Sequence, residues 1–373
     1  MKLSLFFTFG VSAGQWKEKG LLDREKLIYE KLLESGAVDK IYWFTYGIAD
    51  KEIEKELING IEIIPMPSIY RLRIGKLFYS FLMPFVQRKY IKQTDILKTN
   101  QINGSWTAVL ASKLYGKPLV VRTGWTWSRF RLKSNNPVLY RLASLIERMA
   151  YRNADAVVVT TQDDADYISN RYRKSADKLM IVPNYVDTDM FSVTDKHKYD
   201  DKFVFVGRLT EQKNLKNLIQ ALQGLPYGLD IYGDGEMKDE LGQLAGSLKV
   251  RVDLKGNVPN SELPEILNQY PLFVLPSFYE GMPKALLEAM SCGCAVIGTD
   301  VDGIRGLIRD GVNGILCNTT HESIRSAIEK VMKDNELMER LGKQARSFVV
   351  ENYSLENVIA DEINVHKKVC NVR

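Results

Sequence analysis

Short apolar runs alternate with longer amphipathic segments along the first half of the chain. Runs of valine, isoleucine and aromatic residues bounded by polar turns predict buried strands, whereas apolar residues repeated every three or four positions predict helices. The predicted strands are 3–9, 40–47, 61–66, 95–100, 118–124, 155–161 and 179–184. The segment DREKLIYEKLLES is a predicted helix with Asp23 as its N-cap and Gly36 as its end.

The same alternation restarts after a polar stretch at 192–202. Here the predicted strands are 203–208, 229–235, 252–258, 272–277, 295–300 and 314–317, and helices are expected from Asn214, Glu236 and Ser261. Alternating strands and helices predict parallel sheets that are covered on both faces. The expected fold class is therefore α/β, with two doubly wound Rossmann-like domains facing a cleft, the first ending near residue 185.

Length, charge and cysteine content limit the number of domains and the kinds of ligand that this protein is expected to have. A chain of 373 residues exceeds the size at which one hydrophobic core usually keeps growing, which favours two domains. The net charge of +5 suits an anionic ligand or a membrane surface but is too weak to indicate nucleic-acid binding. The four cysteines form no CxxC pair and have no histidine at metal-ligand spacing, so neither a zinc site nor a disulfide framework is expected. A reducing cytoplasm is the expected location.

The first residues, MKLSLFFTFGVSAG, have a faint similarity to a signal peptide. Because the apolar run is short and continues directly into a charged segment, we interpret it as a buried first strand. No stretch of the sequence reaches about 18 uninterrupted apolar residues, and no transmembrane helix is expected.

Candidate ligand-binding residues follow the predicted strands of the second half, because open α/β sheets bind ligands beyond the carboxyl ends of their strands. One strand ends at Gly207 and Arg208, and Lys213 immediately precedes a predicted helix. Two cations beside the free N–H groups of a helix suit a diphosphate, although surface cations near a helix start are also common. The YGDG turn at 232–235 fits either close approach to a ligand or an ordinary tight turn.

The segment SFYEGMPKALLEAMSCG carries two glutamates and combines a turn with a helix. A strand ends before its FYEGMP turn, and Pro283 suits the first position of a helix that runs to Gly293. Glu280, Gly281 and Met282 are therefore expected at the carboxyl end of a strand, beside a helix N-terminus.

The second glutamate of this segment, Glu288, lies within the helix. On a helical wheel it shares a face with Lys284, and one interpretation is a solvent-side pair that contributes roughly 0.3 kcal/mol. The alternative is a ligand contact, because a carboxylate can accept two hydrogen bonds from the hydroxyl pair of a ribose. The residues alone leave both interpretations open.

Together, the GR…K pattern at 207–213 and the segment PSFYEGMPKALLEAMSCGCAVIGTD resemble the retaining GT-B glycosyltransferases of the GT4 type. The resemblance extends over nearly the whole second half, and IVPNYVDTDMF at 181–191 is similar to the family's inter-domain linker. It implies an N-terminal acceptor domain at 1–185 and a donor domain at 186–353, with a C-terminal helix at about 354–373 packed back on the first domain.

The resemblance implies which residues bind the donor and which act in the reaction. Arg208 and Lys213 would neutralise the donor's diphosphate and Glu280 would hold the sugar; these three are the implied catalytic residues. Glu288 would hold the ribose, and the segment around Val258 would line the base pocket. The implied donor-binding positions besides the catalytic three are Glu288, Gly281, Met282, Pro283, Val258, Gly14 and Gly207. For Gly14, an ordinary turn between a strand and a helix is the alternative.

The resemblance also implies a UDP- or GDP-sugar donor, no metal and no other cofactor. Breaking the sugar–phosphate bond places negative charge on the leaving diphosphate, which cations and helix N-termini can stabilise. The acceptor hydroxyl would attack from the face of the leaving group, with retention at the anomeric carbon. The TDVDG segment at 299–303 is similar to a metal-binding DxD motif, but its place after a late strand fits a donor-side turn, and no metal site is expected.

Two departures from the family's pattern concern the sugar contacts. Many relatives have a histidine after the strand that corresponds to GKPLVVRTGW, whereas this chain has Gly124 or Trp125 there and its three histidines all lie beyond the first domain. The usual GGxPE is replaced by DGIRG at 302–306, which removes a glutamate. Both changes affect the implied sugar contacts more than the implied diphosphate contacts.

Polar and aromatic loops after the strands of the first half form the expected acceptor side. The loops KTNQINGSW and RTGWTWSRF contain amides that match hydroxyl pairs and aromatic faces that pack on sugar rings. The candidate acceptor-side residues are Asn100, Asn103, Trp125 and Arg129. The family resemblance implies a glycan or lipid-linked acceptor in surface polysaccharide or lipopolysaccharide biosynthesis.

Residues 70–93, YRLRIGKLFYSFLMPFVQRKYIKQ, combine large apolar side chains with six arginines and lysines and no acidic residue. Such a basic amphipathic segment suits an anionic membrane surface, which would place the protein peripherally on the inner face of the cell membrane. The alternative is a core helix whose long cations extend to the solvent.

The expected activity is that of a glycosyltransferase, and two alternatives remain. A catalytically silent partner subunit that binds nucleotide sugar is favoured by the missing histidine and opposed by the intact donor residues. An epimerase of the same fold would need acid and base side chains in its cleft, and the first domain offers no histidine for this role.

Overall fold

The computed structural model describes residues 1–124, 126–129, 137–173, 176–194 and 199–371. The chain forms two compact units. Unit 1 consists of Met1–Pro183 together with Val358–Arg373, and unit 2 is the continuous segment Asn184–Asn357.

Unit 1 is built on a seven-stranded parallel sheet. Its strands are β1 (Lys2–Phe6), β2 (Lys40–Phe44), β3 (Ile61–Ile64), β4 (Ile96–Thr99), β5 (Leu119–Thr123), β6 (Ala156–Val159) and β7 (Leu179–Ile181). Their order across the sheet is β3-β2-β1-β4-β5-β6-β7. The segment with a faint similarity to a signal peptide is thus β1, which lies between β2 and β4 in the interior of the sheet.

Helices connect the strands of unit 1. They are α1 (Ala13–Glu18), α2 (Leu22–Glu34), α3 (Arg73–Val86), α4 (Arg88–Lys92), α5 (Ser105–Tyr115), α6 (Pro137–Asn153) and α7 (Gln162–Tyr172). The strands are nearly continuous runs of buried apolar residues, because helices cover parallel strands on both faces.

Unit 2 repeats this architecture with a six-stranded parallel sheet of order β10-β9-β8-β11-β12-β13. Its strands are β8 (Lys202–Val206), β9 (Gly228–Tyr232), β10 (Val252–Gly256), β11 (Leu272–Leu275), β12 (Ala295–Thr299) and β13 (Ile315–Cys317). Its helices are α8 (Leu215–Ala221), α9 (Lys238–Leu248), α10 (Leu263–Leu267), α11 (Lys284–Ser291), α12 (His321–Met332) and α13 (Asn335–Tyr353). The last helix, α14 (Leu355–Asn371), begins in unit 2 and continues in unit 1.

The predicted fold class, two doubly wound parallel-sheet domains, is confirmed, and each observed strand overlaps a predicted one. In each sheet the strand order reverses at one point, between β1 and β4 in unit 1 and between β8 and β11 in unit 2. At such a switch point the loops from neighbouring strands diverge and leave a crevice, which is where open α/β sheets bind their ligands.

Helix starts are less well predicted than strands. The predicted N-cap at Asp23 is wrong, because α2 begins at Leu22, a buried residue, and its N-cap is Leu21. Asp23 lies in the first turn instead and pairs with Lys26 at 3.2 Å. The predicted end is correct, since Gly36 follows the C-cap with a φ of +70°.

A buried ionic cluster connects α14 to the sheet of unit 1. Lys98 on β4 pairs with Glu362, and the Nε2 atom of His366 lies 3.0 Å from the same carboxylate. Arg122 is the third basic group, and its guanidinium lies 3.9 Å from the second carboxylate oxygen of Glu362. Burial by itself raises the pKa of Glu362, but the three basic groups outweigh it and hold that pKa well below its ordinary value. Burial also lowers the pKa of the Lys98 ammonium.

Among the helices in the described ranges, none has both the length and the apolar character required to cross a membrane.

Candidate active site

The candidate donor residues gather at the switch point of the unit 2 sheet. The loop after β8 carries Arg208 and Lys213, and the loop after β11 carries Glu280. β8 and β11 are adjacent strands, so both loops leave the sheet at the same edge. Sequence positions about seventy residues apart are therefore neighbours; the sequence predicted their places after strands, and the strand order brings them together.

Direct hydrogen bonds fix these two loops against each other. The side-chain amide of Gln212 donates to the Tyr279 carbonyl at 2.8 Å, and the Phe278 N–H donates to the Gln212 carbonyl at 2.9 Å. Asn214 donates from Nδ2 to the carbonyls of Pro276 and Thr319 at 2.9 and 2.8 Å. The relative position of Lys213 and Glu280 therefore depends on backbone contacts, not on their own attraction alone.

Asn214 corrects one detail of the sequence interpretation. It lies at the N-cap position of α8, which begins one residue after the predicted start, and its side chain makes no capping hydrogen bond to the helix. Its amide is used to connect the loops after β8, β11 and β13, and its backbone is left-handed, with a φ of +55°.

Lys213 and Glu280 form an ion pair at the centre of the site. Lys213 Nζ lies 2.5 Å from Glu280 Oε1, and Ser277 Oγ donates to the same oxygen at 2.6 Å. The two charged side chains are 12% and 8% exposed, so this pair is far less screened by water than a surface pair. Two donors on Oε1 orient the carboxylate and leave Oε2 without a hydrogen bond from the residues that the structure describes.

Arg208 differs from Lys213 in its surroundings. It lies two residues beyond the end of β8, and its side chain is exposed. Only one of the two predicted diphosphate cations, Lys213, is therefore already bound to a carboxylate. The exposed guanidinium can move toward an anionic ligand without breaking an ion pair with any described residue.

Glu288 is buried, with 3% of its surface exposed. The interpretation of Glu288 and Lys284 as a solvent-side pair is therefore wrong, because the helix face that carries Glu288 is covered. Asn260 Nδ2 donates to Glu288 Oε1 at 3.3 Å, and Asn260 follows the half-buried Val258 by two residues. This hydrogen bond connects Glu288, the implied ribose contact, to the loop that follows Val258, the implied base contact.

The turn between Glu280 and α11 is held by Asn184. Asn184 donates from Nδ2 to the Met282 carbonyl at 2.7 Å and from its backbone N–H to the Met282 sulfur at 3.1 Å. Pro283 is the N-cap of α11, which begins at Lys284, one residue later than predicted, and no side chain caps this helix. The N-terminus of this helix carries a partial positive charge beside Gly281 and Met282.

Gly303 packs against Gly281 more closely than any other residue type would allow. A Cβ atom on Gly303 would lie 1.8 Å from the Gly281 carbonyl oxygen, and its φ of +81° is in the left-handed region. The DGIRG segment therefore retains a backbone contact to the Glu280 turn although it lacks the family's usual glutamate.

Gly303→Ala is expected to destabilise unit 2 by about 1–3 kcal/mol, because the added methyl group would push the Glu280 turn away or distort the backbone. The matched control is Gly306→Ala in the same loop, where a Cβ atom would meet nothing within 4 Å. Urea denaturation followed by far-UV circular dichroism measures both variants. Equal midpoints for the two variants would contradict this account of Gly303.

The glycines of the YGDG turn are explained by contact between loops. A Cβ atom on Gly233 would lie 1.9 Å from the Gly207 carbonyl oxygen, and the Gly207 N–H donates to the Tyr232 carbonyl at 2.9 Å. These glycines allow the loops after β8 and β9 to pack together, a role that neither interpretation of the sequence included.

The DxD-like segment forms ion pairs with a neighbouring arginine. Asp300 Oδ1 lies 2.6 Å from Arg305 Nε, and Asp302 Oδ1 lies 3.6 Å from the same guanidinium. The described residues contain no group of three or more histidine, cysteine, aspartate or glutamate side chains placed to hold a metal ion.

In unit 1, the loop after β1 leads into α1. The Ala13 and Gly14 N–H groups donate to the Asp50 carboxylate at 2.7 and 3.1 Å, and Asp50 is buried. The Gly14 amide is thus occupied by a protein carboxylate, the arrangement expected for a turn between a strand and a helix.

The acceptor-side candidates fall into two groups. Asn100 and Asn103 lie in the loop after β4, where Gln101 accepts the Gly124 N–H at 2.9 Å and so connects this loop to the end of β5. Arg129 lies 3.9 Å from Asp164, a buried carboxyl whose pKa is raised by burial, and over the ring of Tyr167. Trp125 lies outside the described residues.

Sequence reasoning missed several residues that shape the site. They are Ser277, Asn184 and Asn260, and none of them belongs to a sequence motif. The partners of Asn184 and Asn260 are distant in the sequence, and Ser277 contacts Glu280 within a turn. One usable signal was present, because Asn184 falls within the segment that resembles the family's linker.

Two family models match adjacent parts of the chain. The model described as Glycosyl transferases group 1 matches residues 186–348, and the model described as Glycosyltransferase Family 4 matches residues 37–190. The first match covers the unit that contains the Lys213–Glu280 pair, and the second covers most of unit 1.

Individual proteins extend these matches. An uncharacterized glycosyltransferase of Methanocaldococcus jannaschii is 31% identical over 314 residues, which cover 78% of this chain and 73% of its own. The UDP-Gal:alpha-D-GlcNAc-diphosphoundecaprenol alpha-1,3-galactosyltransferase of Escherichia coli is 27% identical over 285 residues, 70% of this chain and 72% of its own. Among solved structures, Anabaena HepE in complex with UDP-glucose is similar over 100% of both chains, with a TM-score of 0.77 and 17% identity.

Proposed function

Because the chain belongs to the glycosyl transferases group 1 family and is therefore a glycosyltransferase, we propose that it transfers a sugar with retention from a nucleotide-diphosphate donor to a hydroxyl acceptor. The observation that carries this proposal is the Lys213–Glu280 pair at the switch point of unit 2, with the exposed Arg208 in the same loop as Lys213. The UDP-glucose bound by the similar HepE structure supports a donor of this class.

Each donor residue has a role that its surroundings support. Arg208 and Lys213 bind the diphosphate, and the uncapped N-terminus of α11 adds a partial positive charge. Glu280 accepts hydrogen bonds from sugar hydroxyls through Oε2, because Oε1 already accepts from Lys213 and Ser277. Glu288, buried beside Asn260, holds the ribose near the base-lining segment at Val258.

The reaction follows from the charges at this site. When the bond between the anomeric carbon and the phosphate oxygen breaks, the diphosphate gains negative charge and the sugar ring gains positive charge. Arg208 and Lys213 stabilise the diphosphate, and the Glu280 carboxylate favours the positive ring. The acceptor oxygen bonds to the anomeric carbon on the same face, and its proton passes to an oxygen of the departing diphosphate. This route uses neither a protein nucleophile nor a metal ion.

The acceptor is proposed to be a glycan or a lipid-linked sugar in surface polysaccharide biosynthesis. The Escherichia coli relative is named for a diphosphoundecaprenol-linked acceptor, which supports this class. Asn100, Asn103 and Arg129 are the proposed acceptor contacts in unit 1. An enzyme acting on such acceptors would work in the cytoplasm or peripherally on the inner face of the cell membrane.

A thermal-shift screen against UDP-, GDP- and ADP-sugars tests the donor class. The correct donor should stabilise the folded protein by about 2.7 kcal/mol at a hundredfold excess over its dissociation constant. Proton NMR of the product then tests retention, because the anomeric coupling constant distinguishes the two configurations. A product of inverted configuration, or activity that EDTA removes and a divalent cation restores, would contradict the proposed route.

A further inference from the structure

Helix α3 of unit 1 exposes its apolar side. Its exposed apolar residues are Ile74, Leu77, Phe78, Phe81, Leu82, Phe85 and Val86. They recur every three or four positions, so they lie along one side of the helix. Phe78 is 62% exposed and Phe85 50%, and Ile69 and Leu72, just before the helix, are 81% and 70% exposed. Tyr79 and Met83 of α3 are buried in the core of unit 1, so the exposed residues form a second apolar side of the same helix.

The other side of α3 is fixed to α5. Trp106 Nε1 donates to Ser80 Oγ at 2.9 Å, and Thr107 Oγ1 donates to the Ser80 carbonyl at 2.7 Å. This carbonyl needs a donor because Pro84, four residues later, has no N–H. Tyr115 donates to the Pro84 carbonyl at 2.8 Å. Rotating α3 to bury its apolar side would break these bonds, so the exposure is built into the fold.

Basic residues lie at both ends of α3 along the chain. Segment 70–93 contains six arginines and lysines and no acidic residue. Five of them, Arg71, Arg73, Arg88, Lys89 and Lys92, are exposed, and Lys76 is half-buried. The neighbouring layer adds apolar surface, since α5 packs against both α3 and α6, and Val138, Leu142 and Leu145 of α6 are exposed.

We propose that α3 docks this protein in the plane of an anionic lipid bilayer, with its phenylalanines among the acyl chains and its cations at the phosphate level. A second copy of the chain is a poorer occupant, because a two-fold symmetric interface would bring the two sets of cations together. This proposal goes beyond the transfer reaction and does not depend on it.

Co-sedimentation with vesicles tests the proposal. The protein should bind phosphatidylcholine vesicles that contain phosphatidylglycerol, and bind pure phosphatidylcholine vesicles much more weakly. Phe78→Ser with Phe85→Ser should weaken binding about tenfold per residue. Arg71→Glu, Arg73→Glu and Lys76→Glu combined should weaken it by at least about a hundredfold.

Matched controls come from unit 2. Val312→Ser with Val350→Ser removes two exposed apolar side chains, and Lys249→Glu, Lys330→Glu and Lys343→Glu make the same change in net charge. Both control proteins should bind vesicles like the unchanged protein. The stabilisation by donor, measured by thermal shift, should be the same in all these variants, which separates this test from that of the transfer reaction.

Two results would overturn the proposal. One is vesicle binding that neither α3 variant alters. The other is no vesicle binding together with a dimer, detected by light scattering, that the phenylalanine variant dissociates; this would assign the face to a second copy of the chain.

Discussion

Glu280→Ala is expected to lower kcat by about 10²–10³-fold, or roughly 2.7–4 kcal/mol of transition-state stabilisation. The variant loses the carboxylate that favours a positive sugar ring, and it leaves Lys213 without the partner 2.5 Å away. Donor affinity should change much less, because the diphosphate contacts and Glu288 remain. Initial rates at saturating donor, with product measured by chromatography, give kcat directly.

Because Glu280 pairs with Lys213, a comparison of single and double variants tests its role more strictly. Lys213→Ala should also lower kcat, and the double variant should lose less than the sum of the two free-energy changes, because the two side chains act as a unit. Glu339→Ala, an exposed glutamate on α13, is the control and should leave kcat unchanged. A Glu280→Ala enzyme within threefold of the unchanged protein would refute the proposed role. A protein that binds donor and never turns it over would favour the silent partner subunit.

Glu362→Gln is expected to lower the free energy of unfolding of unit 1 by about 3–5 kcal/mol. The substitution keeps the side-chain volume but leaves the buried Lys98 without its countercharge and His366 without the carboxylate beside it. All five tryptophans fall within Met1–Pro183, so tryptophan fluorescence during urea denaturation follows unit 1 alone. Asp361→Asn changes an exposed neighbour on the same helix and is the matched control.

The same cluster predicts how stability depends on pH. The pKa of Glu362 is lower in the folded chain than the ordinary value of 4.5 that applies after unfolding. Its contribution is therefore fully present above about pH 4.5 and is lost as the pH falls toward the folded-state pKa. The stability difference between the unchanged protein and Glu362→Gln should shrink on acidification below this value. A difference that stays constant down to pH 3 would show that the ion pair is not its source.

The strands could be predicted from the sequence because their signal is local. Runs such as AVVV at 156–159 and LFVL at 272–275 can only be buried, and their alternation with helices determines parallel pairing. The burial of a helix face could not be predicted in this way, because periodicity shows which residues share a face but not what covers it. Glu288 is covered by a loop that contains Asn260, and α3 is held with its apolar side outward by Trp106 and Thr107.

For the candidate site, the sequence predicted which loops carry the functional residues. Strand ends place Arg208, Lys213 and Glu280 at one edge of one sheet, and the family resemblance supplies their roles. The ion pair itself, and the Ser277 and Asn184 contacts that orient it, depend on side-chain positions that no spacing reveals.

The division of the chain between its two units has a consequence for biosynthesis. Unit 2 is one uninterrupted segment, whereas unit 1 needs residues that follow it. A ribosome therefore delivers all of unit 2 while Lys98 still lacks Glu362. Although its sheet is synthesised first, unit 1 can reach its final stability only after α14 has left the exit tunnel. A chain truncated after Asn357 and released from the ribosome should consequently be protease-resistant in Asn184–Asn357 and cleavable in Met1–Pro183.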